Sequence, residues 1–253
     1  MPPGYREFEF DLPNALLTQL VTLFDAMDVG PLAPEAALTI PEAQGVYQLF
    51  HQNRLVYIGK TDAEAGLRQR LTRHAWTVQH RQNLEPEDVA FKAIRVYVFT
   101  AIDLETQLIE HYRATAPVAW NFSGFGSNDP GRERDTTNVS PEGFDVQFPV
   151  DLDREIAVDL EAPVSAGTAL TALRRHLPYT FRFERAAPRS QRPHPELENT
   201  RVELPPLPCT THTFLTSIIH QLPPGWQGTL LSGRVILYKE NREYQFGQVV
   251  ARS

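Results

Sequence analysis

The chain has 253 residues, a formal net charge of −7, 42% hydrophobic residues and one cysteine, Cys209. That length allows one large domain or two modest ones, while a single cysteine excludes an internal disulfide or a cysteine-built zinc site. No run approaches the length of apolar sequence needed for a membrane span, the acidic balance weighs against nonspecific coating of nucleic acid, and the charged start MPPGYREFEF makes the cytosol the expected compartment.

Apolar residues at helical spacing predict an amphipathic helix over 12–27, after which Pro31, Pro34 and Pro41 mark a loop. GVYQLF (45–50) and RLVYIG (54–59) read as two strands around the polar turn HQN, carrying Tyr47 and Tyr57 and running into Gly59 and Lys60. A helix is expected over 66–79. From Lys60 to Arg81 a basic island gathers Arg68, Arg70, Arg73, His74 and His80 against only Asp62 and Glu64. FKAIRVYVFT (91–100) is aromatic and β-branched and predicts a strand beside the hairpin. Asp103 is suited to cap a helix over LETQLIEHYRAT, which ends before Pro117. The expected fold class is therefore α+β, a small antiparallel sheet flanked by helices.

The segment 120–137, WNFSGFGSNDPGRERDTT, lacks hydrophobic periodicity and reads as a loop that is either disordered or functional. Its Asn128, Arg132 and Arg134 are suited to phosphate oxygens or base edges. Beyond residue 144 the sequence predicts a strand (FDVQFPVDL), a helix (TALTALRRHLP), a strand (YTFRFE) and a disordered link over 185–199. A second helix (THTFLTSIIHQLP) and a closing hairpin turning at Glu240-Asn241 follow. The two helices match in Thr, Leu, Thr, Leu and Pro at the same offsets (168–178 and 213–223), which hints at a duplicated helix-strand unit. The domains expected are an N-terminal helical extension (1–40), a core with its loop (41–143) and a C-terminal α+β module (144–253).

GVY at 45–47 followed by YIG at 57–59 resembles the defining pair of the GIY-YIG nuclease superfamily. RLTRH, with Arg70 and His74, and LETQLIEHYRATAPVAWN, with a helix-borne glutamate and a closing asparagine, continue the resemblance over about residues 44–122. It implies a GIY-YIG core and a catalytic set of Tyr47, Tyr57, Lys60, Arg70, His74, Glu105 and Asn121. Glu105 would ligate Mg²⁺, with Mn²⁺ as the alternative, and Glu110 is its rival. SGFGSNDPG resembles a narrower branch, the type II restriction endonucleases with a GIY-YIG core that cut CCGCGG. That branch implies a homodimer acting on double-stranded DNA in a prokaryotic cytoplasm, with a cognate DNA methyltransferase as a candidate partner. Arg73, Asn128, Arg132 and Arg134 would contact the DNA.

Phosphodiester hydrolysis needs an attacking water deprotonated, a pentavalent phosphate stabilised and a leaving oxygen neutralised. A carboxylate is the ligand a hard divalent ion prefers, and an arginine fork matches nonbridging oxygens. A phenol has a reference pKa of about 10, so Tyr47 needs cations beside it, or a metal-bound water, to serve as the base. Two rival readings remain: a repair or mobile-element nuclease directed by structure or modification, and a non-catalytic DNA-binding protein.

Overall fold

A computed structural model describes residues 3–61, 65–97, 103–126, 129–160 and 163–253. The protein is mixed α+β, with small sheets that are mostly antiparallel. It forms two compact units, the first made of the chain up to Ala75 with Glu85–Asn121, the second of Trp76–Leu84 with Phe122–Ser253. The division thus falls at Asn121–Phe122 instead of at 143–144, and the N-terminal helix belongs to the first unit instead of standing apart as an extension.

The first unit contains α1 (Leu12–Ala26), β1 (Gly30–Pro31), α2 (Pro34–Leu38), β2 (Gly45–His51), β3 (Arg54–Thr61), the start of α3 (Leu67–Gln79), β4 (Val89–Arg95) and α4 (Leu104–Arg113). Asp11 caps α1 by accepting a hydrogen bond from the Asn14 amide at 3.0 Å. Gln52 and Asn53 have φ of 50° and 61°, the left-handed pair that a two-residue hairpin turn requires. The strand order is β1-β4-β2-β3, so β3 is an edge strand. Val46 and Ile58 on one sheet face pack with Leu20 and Phe24 of α1 and with Leu108 and Ile109 of α4. Alternation along the strands sends Tyr47, Tyr57 and Gly59 to the opposite face. The expected strand over 91–100 begins two residues early and ends at Arg95; residues 98–100 lie outside the described residues.

The second unit contains α5 (Phe144–Gln147), β5 (Glu155–Ile156), β6 (Val164–Ser165), α6 (Ala166–His176), β7 (Thr180–Phe183), α7 (Pro195–Asn199), β8 (Arg201–Val202), β9 (Cys209–Thr210), α8 (Thr211–His220), β10 (Trp226–Leu231), β11 (Arg234–Lys239) and β12 (Gly247–Arg252). The repeated segments fold alike. Ser165 and Thr210 each accept from the amide three residues on, at 3.1 and 3.0 Å, and start α6 and α8 in the same way. Leu170 and Leu173 of α6, and Leu215 and Ile218 of α8, enter one core. The strands that follow, β7 and β10, flank β11 on its two sides, parallel and antiparallel respectively.

Three expectations fail here for physical reasons. FDVQFPVDL is not a strand: Phe144–Gln147 is a short helix with Phe148 as its C-cap before Pro149, and the tilted rings of Phe144 and Phe148 lie 5.2 Å apart between centroids. The segment 185–199 is not a disordered link, because Arg185 bridges Pro193 and Leu197 of α7 is buried in the core. The closing hairpin does not pair with itself, since β10 lies between β11 and β12 and pairs with both. Among its described residues the loop over 120–137 is anchored. Its 3₁₀ turn (Arg132–Thr136) buries Asp135, which accepts from Arg182 at 3.0 Å, Arg234 at 2.7 Å and Tyr238 at 3.3 Å.

That carboxylate holds two nearly buried guanidiniums, so Asp135→Ala leaves Arg234 without a carboxylate partner among the described residues and Arg182 with Asp129 alone. The expected cost is about 3 kcal/mol, read as a lower urea midpoint for the second unit with the far-UV spectrum of the native state unchanged.

Candidate active site

The first unit gathers Tyr47 of β2, Tyr57 of β3, Arg70 and His74 of α3, and Glu105 of α4. Tyr47 Oη and His74 Nε2 are hydrogen-bonded at 2.8 Å. The Tyr47 and Tyr57 rings lie 6.0 Å apart between centroids, and each lies within 5.6 Å of the His74 ring. Tyr47 is buried and its pKa stands well above the ordinary phenol value. Burial is the main cause, followed by Tyr57, while the Arg70 guanidinium opposes the rise. Tyr57 is raised as well, first by burial and then by the Glu105 carboxylate. Burial, reinforced by Arg70 and Arg73, pulls His74 down to about 3, so its imidazole is neutral at physiological pH. Burial likewise raises Glu105, with Asp103 adding to the shift and Lys60 and Arg70 opposing it.

Glu105 therefore shares a field with both phenols and with Arg70, whereas Glu110, five residues on, is exposed. Helical geometry turns positions i and i+5 well apart, which favours Glu105 over its rival as the carboxylate of this cluster.

Gly59 is required by Tyr47, its partner across the hairpin. It sits within β3 opposite Tyr47, and a Cβ there would lie 2.4 Å from Tyr47 Oη. The glycine leaves room for the phenol to cross the strand and reach His74. Gly59→Ala is expected to cost about 1–3 kcal/mol through overpacking and to break the Tyr47–His74 hydrogen bond, checked by thermal melting and by the tyrosine and histidine NMR resonances.

Asn121 holds the backbone and does not face the cluster. Its Oδ1 accepts from the Ile58 amide at 2.9 Å and its Nδ2 donates to the Ile58 carbonyl at 2.8 Å. With the Trp120 amide donating to the Val56 carbonyl at 2.7 Å, it satisfies the open edge of β3 on either side of Tyr57. Lys60 is engaged by Asp103 at 2.8 Å, an exposed ion pair at the cap of α4. Asp103 is the residue that sequence reasoning assigned only to capping; its place two positions before Glu105 was the available signal.

The basic island disperses. Arg68 donates to the Ile40 carbonyl at 2.8 Å, and Arg81 is buried in the second unit, paired with Asp145 at 2.9 Å. Arg73 remains exposed on α3. Arg132 and Arg134 belong to the second unit. The Arg132 guanidinium is held by Glu184 at 2.8 Å and lies over the Tyr238 ring at 4.0 Å, so it is not the unengaged finger expected of a base-reading arginine. Arg134 is exposed and makes no ion pair among the described residues. Asn128 lies outside the described residues.

Neither protein-family models nor curated proteins match this chain.

The donor set suits a hard divalent cation. Among the described residues no cluster of three or more His, Cys, Asp or Glu side chains gathers to hold a metal, so an ion at Glu105 would rest on one carboxylate and water, a usual Mg²⁺ arrangement. The carboxylate is half-buried beside a second acid, Asp103, and both burial and that neighbour disfavour its charge; a cation there would offset the penalty.

Proposed function

We propose that the protein is a Mg²⁺-dependent DNA endonuclease of the restriction type, with its active site in the first unit. The observation that carries this reading is the convergence of Tyr47, Tyr57, Arg70, His74 and Glu105, the set whose order along the chain resembles the GIY-YIG pattern. The five come from four separate secondary-structure elements, and packing alone does not require two phenols, a neutral imidazole, a guanidinium and a carboxylate in one place.

Glu105 would hold the ion, which supplies Lewis-acid stabilisation of charge on the phosphate and the leaving oxygen. Arg70 binds the nonbridging oxygens as negative charge builds on them. Tyr47 takes the proton of the attacking water while passing its own to His74 Nε2, which lies within hydrogen-bond distance and accepts in the tautomer protonated at Nδ1; the imidazole is neutral at physiological pH. Tyr57 orients the water, Asn121 fixes the strand that carries Tyr57, and Lys60 with Asp103 sets the start of the helix that bears Glu105. Arg73 and Arg134 are the remaining candidates for phosphate contacts.

A palindromic target would be read by a two-fold symmetric dimer, each copy cutting one strand. A methyltransferase protecting the same sequence and a prokaryotic cytoplasmic setting complete the reading. Incubating the full chain with plasmid DNA and Mg²⁺ and sequencing the fragment ends tests it. Discrete ends at one motif are expected. Cutting confined to branched or modified DNA would favour a repair or mobile-element nuclease, and no cutting of any substrate would overturn the enzyme.

A further inference from the structure

The second unit holds a cleft of about 650 Å³, within the usual range of small-molecule sites. Its walls bring together Arg132, Arg174, Arg182 and Arg185 with the rings of Phe183 and Tyr238. Two of these arginines are spoken for. Arg132 is held by Glu184 at 2.8 Å and Glu240 at 3.7 Å, and Arg182 by Asp135 and by Asp129 at 3.1 Å.

Arg174 and Arg185 are not. Both are half-buried, and neither makes an ion pair among the described residues. Arg174 lies over the Phe183 ring at 5.1 Å, and Arg185 donates only to the Ser190 carbonyl at 3.2 Å. Burial pulls Arg174 below the ordinary guanidinium pKa, and the like charges of Arg185 and Arg175 add to the shift. The segment from Arg185 to His194, RAAPRSQRPH, contributes three arginines and no acid. Cations partly removed from water are ordinarily paired. Two left facing the same cleft, backed by flat apolar surfaces, make an arrangement that an anion would relieve.

We propose that this cleft is a phosphate site, with Arg174 and Arg185 as its ligands, taking a phosphate of a nucleic-acid strand or of a free nucleotide. The guanidinium fork matches phosphate geometry, and the aromatic and proline surfaces suit the attached sugar and base. The phosphate chemistry stands without Glu105; the preference for DNA as its source rests on the nuclease reading. The site gives the second unit a binding role separate from strand cleavage.

The test uses the full chain in EDTA, so that binding is read without cleavage. Anisotropy of a labelled 20-base-pair duplex is followed from 50 to 200 mM salt for wild type, R174Q/R185Q and R174K/R185K, with dCMP and a polyglutamate peptide as further probes. For a DNA phosphate, the double glutamine variant loses affinity about tenfold and its log–log salt slope falls by roughly 0.9 per lost contact; the lysine variant keeps the slope. For a free nucleotide, duplex binding is unchanged and dCMP binding is lost in the glutamine variant. Either result supports the site. If duplex and dCMP binding are both unchanged in the glutamine variant, or if only polyglutamate depends on the two arginines, the proposal is overturned. R185Q alone decides the matter should Arg174→Gln unsettle the packing against Phe183. Failure of the nuclease reading is scored separately, as absence of cleavage by wild type in Mg²⁺.

Discussion

Glu105→Gln is expected to cut Mg²⁺-dependent strand cleavage by about a thousandfold or more and, in the same molecule, to raise the melting temperature at pH 7. The two effects share one cause. Burial and the neighbouring Asp103 raise the Glu105 pKa in the folded state. A carboxyl raised in this way contributes stability below its unfolded pKa and loses that contribution as pH rises through its folded value. Ionising Glu105 therefore costs the fold, and the neutral isostere removes that cost together with the metal ligand. Calorimetry of the two proteins from pH 7 downward checks the sign. The gap in melting temperature should close as Glu105 protonates in the wild type. A variant that melts no higher at pH 7 would show that burial does not burden this carboxylate.

The second large effect is the acid sensitivity of the first unit. His74 is buried neutral, with its pKa lowered from the ordinary value of 6.5 to about 3. A histidine depressed in this way stabilises the fold fully above pH 6.5, and the contribution is lost as pH falls toward 3. At 1.36 kcal/mol per unit the whole loss is about 5 kcal/mol, with about 3 kcal/mol gone by pH 4.5. Glu105 opposes the trend, since its protonation favours the fold over part of the same range. The comparison with His74→Gln therefore isolates the imidazole: that variant should show a flatter decline in stability between pH 6.5 and 4.5. Parallel pH curves for the two proteins would mean that His74 protonates readily in place and that burial does not hold it neutral.

Local signals carried most of the first unit. Alternation in GVYQLF and RLVYIG, the polar HQN between them and Asp103 ahead of LETQLIEHYR specify their elements within a few residues, because each depends on neighbours close in sequence. The candidate site was legible for the same reason, as an ordered set of residue types. What the sequence did not reveal depends on distant partners. The need for Gly59 arises from the Tyr47 ring crossing β3, and Asn121 acts on Ile58, 63 positions away. The second unit was harder still. WQGTLL forms the central β10 only because β11 and β12 both pair with it, and the loop over 120–137 is fixed by Asp135 reaching Arg182 and Arg234, 47 and 99 residues on. A composition rich in glycine, asparagine and aspartate suggested flexibility there; one buried carboxylate outweighs it.

The most direct measurement compares the full chain, Glu105→Gln and Glu110→Gln on supercoiled plasmid in Mg²⁺, following conversion to linear DNA under single turnover with duplex binding measured in parallel. Wild type and Glu110→Gln should linearise the plasmid at similar rates, while Glu105→Gln binds DNA and leaves it intact. Equal rates in all three proteins, or loss of cleavage in Glu110→Gln alone, would contradict the assignment of the site.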